Sequence, residues 1–100
     1  MMRFEWDEEK RLANIAKHGI DFSDAEMMFQ HPMYVQLDGR FNYDEDRWIG
    51  IGLLFSRVAV VVYVERVDSD DDNSEQIIRI ISLRKALKHE RKLFETYLSD

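Results

Sequence analysis

The chain has 100 residues, of which 45% are hydrophobic and 12% aromatic, a size that suits one globular domain over residues 1–100 with one core. It contains no cysteine, which excludes a disulfide framework and a thiolate zinc site and fits a reducing cytoplasm. Its apolar stretches are far shorter than the ~20 residues of a membrane-spanning helix, and the charged first residues exclude a secretory signal. The sequence therefore predicts a soluble, cytoplasmic domain.

Charge is distributed unevenly along the chain. The formal net charge is −6, yet residues 47–67 hold three arginines against one glutamate, and residues 77–100 hold six basic against three acidic residues. Residues 68–76, DSDDDNSEQ, hold five acidic residues and no basic one. Because the local field decides whether a phosphate backbone is attracted, the basic segments are candidate nucleic-acid contacts. The acidic segment lacks the ligand spacing of an EF-hand and is predicted to be a solvated loop.

The first predicted elements are a short strand, Arg3–Trp6, and a helix that follows it. Asp7 is a suitable N-cap, and two glutamates in the first turn complement the helix dipole. Lys17 and His18 occupy the last turn, where cations are favourable, and Gly19 can adopt the left-handed conformation that ends a helix. The pattern therefore predicts a helix between Asp7 and Gly19.

A second helix is predicted from Ser23 to about Gln30. Ser23 and Glu26 stand at capping-box spacing, and Pro32 lies where a helix would have to stop. The hydrophobic period then changes from helical to strand-like. We predict this second helix to pack, like the first, against a sheet formed by the rest of the chain.

Four further strands and one helix complete the prediction. The strands are Tyr34–Asp38, Arg47–Phe55, Val58–Arg66 and Gln76–Ser82, with Ser56-Arg57 as a two-residue hairpin turn. Ser82 can cap a final helix that reaches about Leu98. The predicted order is written β-α-α-β-β-β-α, which has one strand fewer than the four named here, and it predicts an α+β domain with an antiparallel meander, two N-terminal helices and a C-terminal helix.

Glu90 stands out in the final predicted helix. At 100° per residue it lies near the centre of an apolar stripe formed by Leu83, Leu87, Phe94 and Leu98. A carboxylate in that position must be paired or protonated. One interpretation is a structural ion pair with an arginine on the sheet, such as Arg47 or Arg79, and the other is an acid–base group with a raised pKa.

Several stretches together resemble the BrnT toxins of bacterial type II toxin–antitoxin systems. The matching stretches are EWDEEK (5–10), KHGIDFSDA (17–25), DEDRWIGIG (44–52), VVVYVER (60–66) and IRIISLRKA (78–86), together with Asn14, Pro32 and Glu90-Arg91. They occur in the family's order and span nearly the whole chain. The departures are Leu83, where the family usually has a small residue, and the long acidic segment 68–76.

The resemblance implies a RelE-like ribonuclease fold and metal-independent cleavage of messenger RNA without a cofactor. It also implies neutralisation by a BrnA-like antitoxin, with two toxins and two antitoxins in a heterotetramer, so that DNA is contacted only through the antitoxin. In the expected reaction the ribose 2′-OH attacks its neighbouring phosphorus, which requires a base, cations and an acid but no protein nucleophile.

The candidate residues for this chemistry lie mainly on the last two strands. Glu65 is the candidate base, and Arg66, Arg79 and Arg84 are candidates for the phosphoryl oxygens, because arginine suits bidentate contact. The predicted RNA-binding residues are Lys85, Arg47, Lys17 and His18. No metal site is predicted.

Alternatives remain open for these residues and for the function. Arg79 can be only the partner of Glu90, and Glu65-Arg66 can be an ordinary strand end. Lys17 and His18 serve helix termination first, with proton transfer by His18 as the other option. The alternatives to a ribonuclease are an inactive RelE-like module that binds its antitoxin, RNA or the ribosome, and a DNA-binding regulator, for which no basic recognition helix is present.

Overall fold

Five strands and three α-helices make up the fold in the computed structural model, which describes residues 2–39, 45–68 and 75–99. In chain order they are β1 (Met2–Trp6), α1 (Glu8–His18), a 3-10 turn (Phe22–Asp24), α2 (Ala25–Met28), β2 (Tyr34–Leu37), β3 (Trp48–Leu54), β4 (Arg57–Asp68), β5 (Glu75–Lys85) and α3 (Lys88–Ser99). In the described ranges, none of the helices has the length and apolar character required to cross a bilayer.

The α+β class is confirmed, but the stated element order is wrong by one strand. Four strands rather than three separate α2 from α3, and the sheet order is β1-β5-β4-β3-β2. The antiparallel meander covers β2 to β5, whereas β1 pairs in parallel with β5, from Met2 opposite Gln76 to Trp6 opposite Ile80. The local sequence around β1 does not indicate that this strand pairs with β5, more than seventy residues later in the chain. The RelE-like fold and the single-domain assignment stay predictions.

Helix α1 forms where its capping residues predict it. The Asp7 carboxylate accepts a hydrogen bond from the Lys10 backbone N–H at 3.1 Å, and Gly19, with φ of 71°, donates its N–H to a carbonyl of the last turn. Asn14 then fixes the helix to the sheet. Its amide donates to the Leu83 carbonyl at 2.7 Å and accepts from the Leu83 N–H at 3.3 Å, so a buried side chain satisfies the edge of β5 beyond the end of β1.

The second predicted helix is shorter than expected, and its predicted cap is wrong. Asp21, not Ser23, caps the segment, because its carboxylate accepts the Ser23 backbone N–H at 3.0 Å and starts a 3-10 turn. Only Ala25–Met28 is α-helical. The segment nevertheless packs into the core, since Phe22, Ala25 and Met28 are fully buried.

The boundaries of the predicted turn and of the final helix are also wrong. The β3–β4 turn consists of Phe55-Ser56, with Leu54 opposite Arg57. Strand β5 continues to Lys85, so Ser82 is a strand residue and does not cap α3. Long-range pairing with β4 extends β5 past the point where the local sequence suggests a helix.

Two layers of apolar side chains cover the sheet. On one face, called here the α1/α2 face, Ala59, Val61 and Tyr63 of β4 join the buried residues of the 3-10 turn and α2. On the other, the α3 face, Ile51 and Val60 pack with Ala86 and Phe94. Strand β5 bulges at Ile81, because Val62 pairs with Ser82 and Tyr63 with Ile80. The bulge lets Leu83 and Ile80 share the α1/α2 face despite their odd spacing.

Asp68 and Glu75, which were predicted to belong to the acidic loop 68–76, pair with each other as strand residues of β4 and β5. Six of the nine residues of that predicted loop are residues 69–74, and five of the eight residues of the predicted polar connection Gly39–Asp46 are residues 40–44. Both segments lie outside the described residues.

Candidate functional site

The four predicted catalytic residues do not form one group, although Arg66 and Arg79 lie together. Alternation along β4 places Glu65 on the α1/α2 face with Tyr63, and Arg66 on the opposite face. Gln76 on β5 donates a side-chain hydrogen bond to the Glu65 carboxylate. Burial and the nearby charge of Glu65 raise the pKa of Tyr63 to about 12, so this phenol stays protonated. Glu65 therefore lies across the sheet from the arginines that it was predicted to assist.

Arg66 and Arg79 both bind Glu5 on the α3 face. The parallel register sets Glu5 directly opposite Arg79. Arg66 Nη2 donates to Glu5 Oε1 at 2.8 Å, and Arg79 Nη1 donates to Glu5 Oε2 at 3.2 Å. The arginine side chains are 59% and 39% exposed, so each pair stabilises the fold by less than about 1 kcal/mol. The cluster ties β1 to β4 and β5, and the single negative charge of Glu5 compensates one of the two positive charges.

Glu90 is ion-paired with an arginine on the sheet, as one interpretation predicted, but that arginine is Arg84 of β5 and neither of the two examples, Arg47 and Arg79. Two parallel hydrogen bonds of 2.8 Å join the guanidinium to the carboxylate, and the Leu87 backbone N–H donates to Glu90 Oε1 at 2.8 Å. Chiefly through the Arg84 hydrogen bonds, these contacts lower the pKa of Glu90 to about 2. The alternative of a raised pKa is therefore wrong, and Glu90 caps the start of α3 while fastening it to β5.

A cavity of about 290 Å³ lies between the C-terminal end of α1 and the β3–β4 turn. We call it the hairpin cavity; its polar and aromatic lining consists chiefly of His18, Asp24, Phe55, Arg57 and Lys85. His18 reaches it because Gly19 ends α1 there. Lys85 reaches it because β5 extends to pair Lys85 with Ala59, a residue of the α1/α2 face. Two of the predicted RNA-binding residues, 67 positions apart in the chain, therefore share one cavity.

The basic residues of the hairpin cavity are not neutralised by pairing. Across residues 2–39, 45–68 and 75–99, the structure shows no side-chain hydrogen bond or ion pair made by His18, Arg57 or Lys85. Asp24 contributes one negative charge to the lining. Cations without a carboxylate partner bind a phosphate without first breaking an ion pair, which distinguishes this cavity from the arginine clusters of the α3 face.

The other two predicted RNA-binding residues lie elsewhere. Lys17 is exposed on the last turn of α1 and is not part of the cavity lining. Arg47 directly precedes β3, at the end of that strand remote from the turn, and its carbonyl accepts the Asp38 N–H at 2.7 Å. In the part of the chain that the structure describes, no three His, Asp or Glu side chains are grouped so as to hold a metal ion. The predicted lack of a metal stays a prediction.

Sequence reasoning missed three residues that the structure makes prominent. Glu5 lies between Phe4 and Trp6 on β1, and the alternation of a strand therefore places it on the opposite face of the sheet from these two aromatic residues. Arg57 and Phe55 were assigned to a hairpin, but no pattern in the sequence brings that hairpin to the end of α1. The missing information was the packing of α1 against β5, which depends on Asn14.

A comparison with known protein families identifies the family of the chain. A model of the family described as "Ribonuclease toxin, BrnT, of type II toxin-antitoxin system" matches residues 6–90. The matched range contains the whole hairpin cavity and ends at Glu90. No curated protein matches the chain.

Proposed function

Because the chain belongs to the BrnT family of ribonuclease toxins of type II toxin–antitoxin systems, we propose that it cleaves messenger RNA at the hairpin cavity. The proposed reaction is a metal-independent attack of a ribose 2′-OH on the adjacent phosphorus. A bond forms between O2′ and phosphorus, and the bond from phosphorus to O5′ breaks. The products are a 2′,3′-cyclic phosphate and a free 5′-hydroxyl.

The observation that carries this proposal is the grouping of His18, Arg57 and Lys85 around one cavity. Since the nucleophile belongs to the RNA, the protein has to supply only a base and stabilisation of the developing charge. The His18 imidazole takes the proton of the 2′-OH, a transfer that imidazole performs well near neutral pH. Arg57 and Lys85 bind the phosphoryl oxygens, and the departing 5′-oxygen takes a proton from water.

The carboxylate-bound arginines have a different role in this proposal. Arg66 and Arg79 hold β1 through Glu5, and Arg84 holds α3 through Glu90. Each already donates to a carboxylate, and the negative charge of that carboxylate weakens the attraction between the guanidinium and a phosphate. The proposal therefore places the reacting phosphate at the hairpin cavity and not on the α3 face.

Membership of a type II system implies a protein antitoxin. We propose that it is BrnA-like and that it neutralises the toxin by blocking access of RNA. The formation of a heterotetramer belongs to the same proposal.

The test compares cleavage of RNA by antitoxin-free protein and by single variants. Lys85→Ala and Arg57→Ala should each lower the cleavage rate by on the order of 10²-fold, the scale for removing one transition-state charge donor. His18→Asn should lower it by a similar factor. Lys10→Ala is the matched control, because it removes one lysine charge from the exposed, opposite end of α1 and should leave the rate unchanged.

Arg66→Ala separates the two candidate sites. If Arg66→Ala abolishes cleavage while Lys85→Ala does not, the reaction takes place on the α3 face and the cavity assignment is wrong. If the purified protein leaves RNA intact but still binds its antitoxin, the chain is an inactive binding module and the proposed activity is wrong.

A further inference from the structure

Phe55 combines an exposed aromatic ring with a strained backbone. It is the first central residue of the β3–β4 turn, its φ is 58°, and 67% of its surface is exposed. Two-residue turns with positive φ at this position ordinarily use glycine, and a bulky residue there is a conformational outlier. A ring that is mostly exposed gains little from burial, so the fold itself does not explain why phenylalanine occupies the turn.

Phe55 lines the hairpin cavity together with Arg57 and Lys85, two cations that have no ion-pair partner among the described residues. Phe55 and Arg57 flank Ser56 in the turn, and Lys85 lines the same cavity from β5. An exposed aromatic ring next to cations is the combination that binds single-stranded RNA, because the base stacks on the ring while the cations bind the backbone.

We propose that Phe55 is the stacking platform for one nucleobase of single-stranded RNA, next to the phosphate that Arg57 and Lys85 bind. The inference rests on the proposed function and names the part of the substrate that is held beside the reacting phosphate. The cavity volume of about 290 Å³ is at the small end for ligand sites and suits a single nucleotide. Stacking does not distinguish hydrogen-bond patterns, so the platform accepts any base.

The test measures binding of a short oligouridylate with 2′-O-methyl sugars, which cannot react through the 2′-oxygen. Phe55→Gly should weaken binding by about 10-fold or more, the scale of one lost stacking contact. Phe55→Trp should bind at least as tightly as the parent protein, whereas Phe55→Leu should bind like Phe55→Gly. An abasic ribose-phosphate chain of the same length should bind all four proteins equally, because it offers no base to stack.

Stability provides the control for a structural role. Phe55→Gly removes the strained conformation, so its free energy of unfolding should equal or exceed that of the parent protein. A decrease in stability that accompanies the loss of binding would overturn the proposal. Unchanged affinity for the oligouridylate would also overturn it, as would an equal loss for the abasic chain.

The outcomes also separate this inference from the proposed activity. Suppose that the protein binds the oligouridylate only when Phe55 has an aromatic ring, but does not cleave unmodified RNA. This result would support the stacking platform and refute the ribonuclease activity. Cleavage at the parent rate by Phe55→Gly would support the activity and refute the platform. Loss of antitoxin binding by Phe55→Gly with intact RNA binding would assign the ring to the antitoxin interface and refute the inference.

Discussion

Removing the Glu90 carboxylate should destabilise the protein strongly, because three hydrogen bonds converge on it. Two come from the Arg84 guanidinium and one from the Leu87 backbone N–H. The side chain of Glu90 is 12% exposed and that of Arg84 is 29% exposed, so solvent screens the pair only in part. Glu90→Ala removes the carboxylate that pairs with the half-buried Arg84 cation and that accepts the Leu87 N–H, a loss that costs several kcal/mol when fully buried.

The magnitude follows from the pKa of Glu90, which falls from 4.5 to about 2. At about 1.4 kcal/mol per unit, a shift of about 2.5 units corresponds to roughly 3 kcal/mol of stability at neutral pH. Since Arg84 is partly exposed, we expect Glu90→Ala to cost about 2–3 kcal/mol. Glu90→Gln should cost less, because the amide oxygen still accepts hydrogen bonds.

The stabilisation should depend on pH with a definite sign. The pKa of Glu90 is lower in the folded state than in the unfolded state, so its contribution is complete above about pH 5 and disappears as the pH falls towards 2. Urea unfolding of the parent protein and Glu90→Gln should therefore show a stability difference that shrinks over this range. Glu95→Gln, an exposed charge change on the same helix, is the control and should show no such trend. A cost below about 0.5 kcal/mol for Glu90→Ala would refute the reasoning.

Two further substitutions test how the helices and the sheet pack. Asn14→Ala should destabilise the fold by about 2–3 kcal/mol in urea unfolding, because both backbone groups of Leu83 lose their buried partner; parent-like stability would show that α1 docks without them. Gly52→Ala should cost about 1–3 kcal/mol, since its Cβ would lie 2.7 Å from Met33 Cγ. Gly39→Ala, whose Cβ would contact nothing within 4 Å, is the control, and equal midpoints for the two alanine variants would contradict the close approach.

The elements that depend on neighbouring residues were predicted well from the sequence. The features that depend on contacts between distant segments left no pattern in the sequence. Asp7 and Gly19 bounded α1 correctly, because a cap depends on residues within one turn. Ser82 looked equally suitable as a cap, yet it pairs with Val62 in the sheet. That outcome depends on β4, which pairs with β5 as far as Lys85. The residues next to Ser82 in the sequence contain no information about this pairing.

The burial and ion pairing of Glu90 were predicted correctly, but from a partly wrong argument. Its burial and pairing were predicted from a helical stripe that included Leu83, but Leu83 belongs to β5. The carboxylate is buried because it caps α3 and binds Arg84, six residues earlier. Its partner was missed because the predicted helix placed Arg84 in its own first turn.

The separation of Glu65 from Arg66 was predictable from the sequence, whereas the residues that line the hairpin cavity were not. Glu65 and Arg66 are neighbours in a strand, so alternation alone already required them to face opposite sides of the sheet. By contrast, the meeting of His18 with Lys85 depends on how α1 docks and where β5 ends. The docking of α1 and the end point of β5 are both set by tertiary contacts, which only the structure supplies.

The most direct test of the central claim is the chemistry of the cut ends. Antitoxin-free protein should cleave RNA in the presence of EDTA and leave 2′,3′-cyclic phosphates, because the nucleophile is the substrate's own 2′-OH. The same RNA with a single 2′-deoxy nucleotide at the cut site should stay intact there. Cleavage at the deoxy position, or loss of activity in EDTA, would contradict the proposed mechanism.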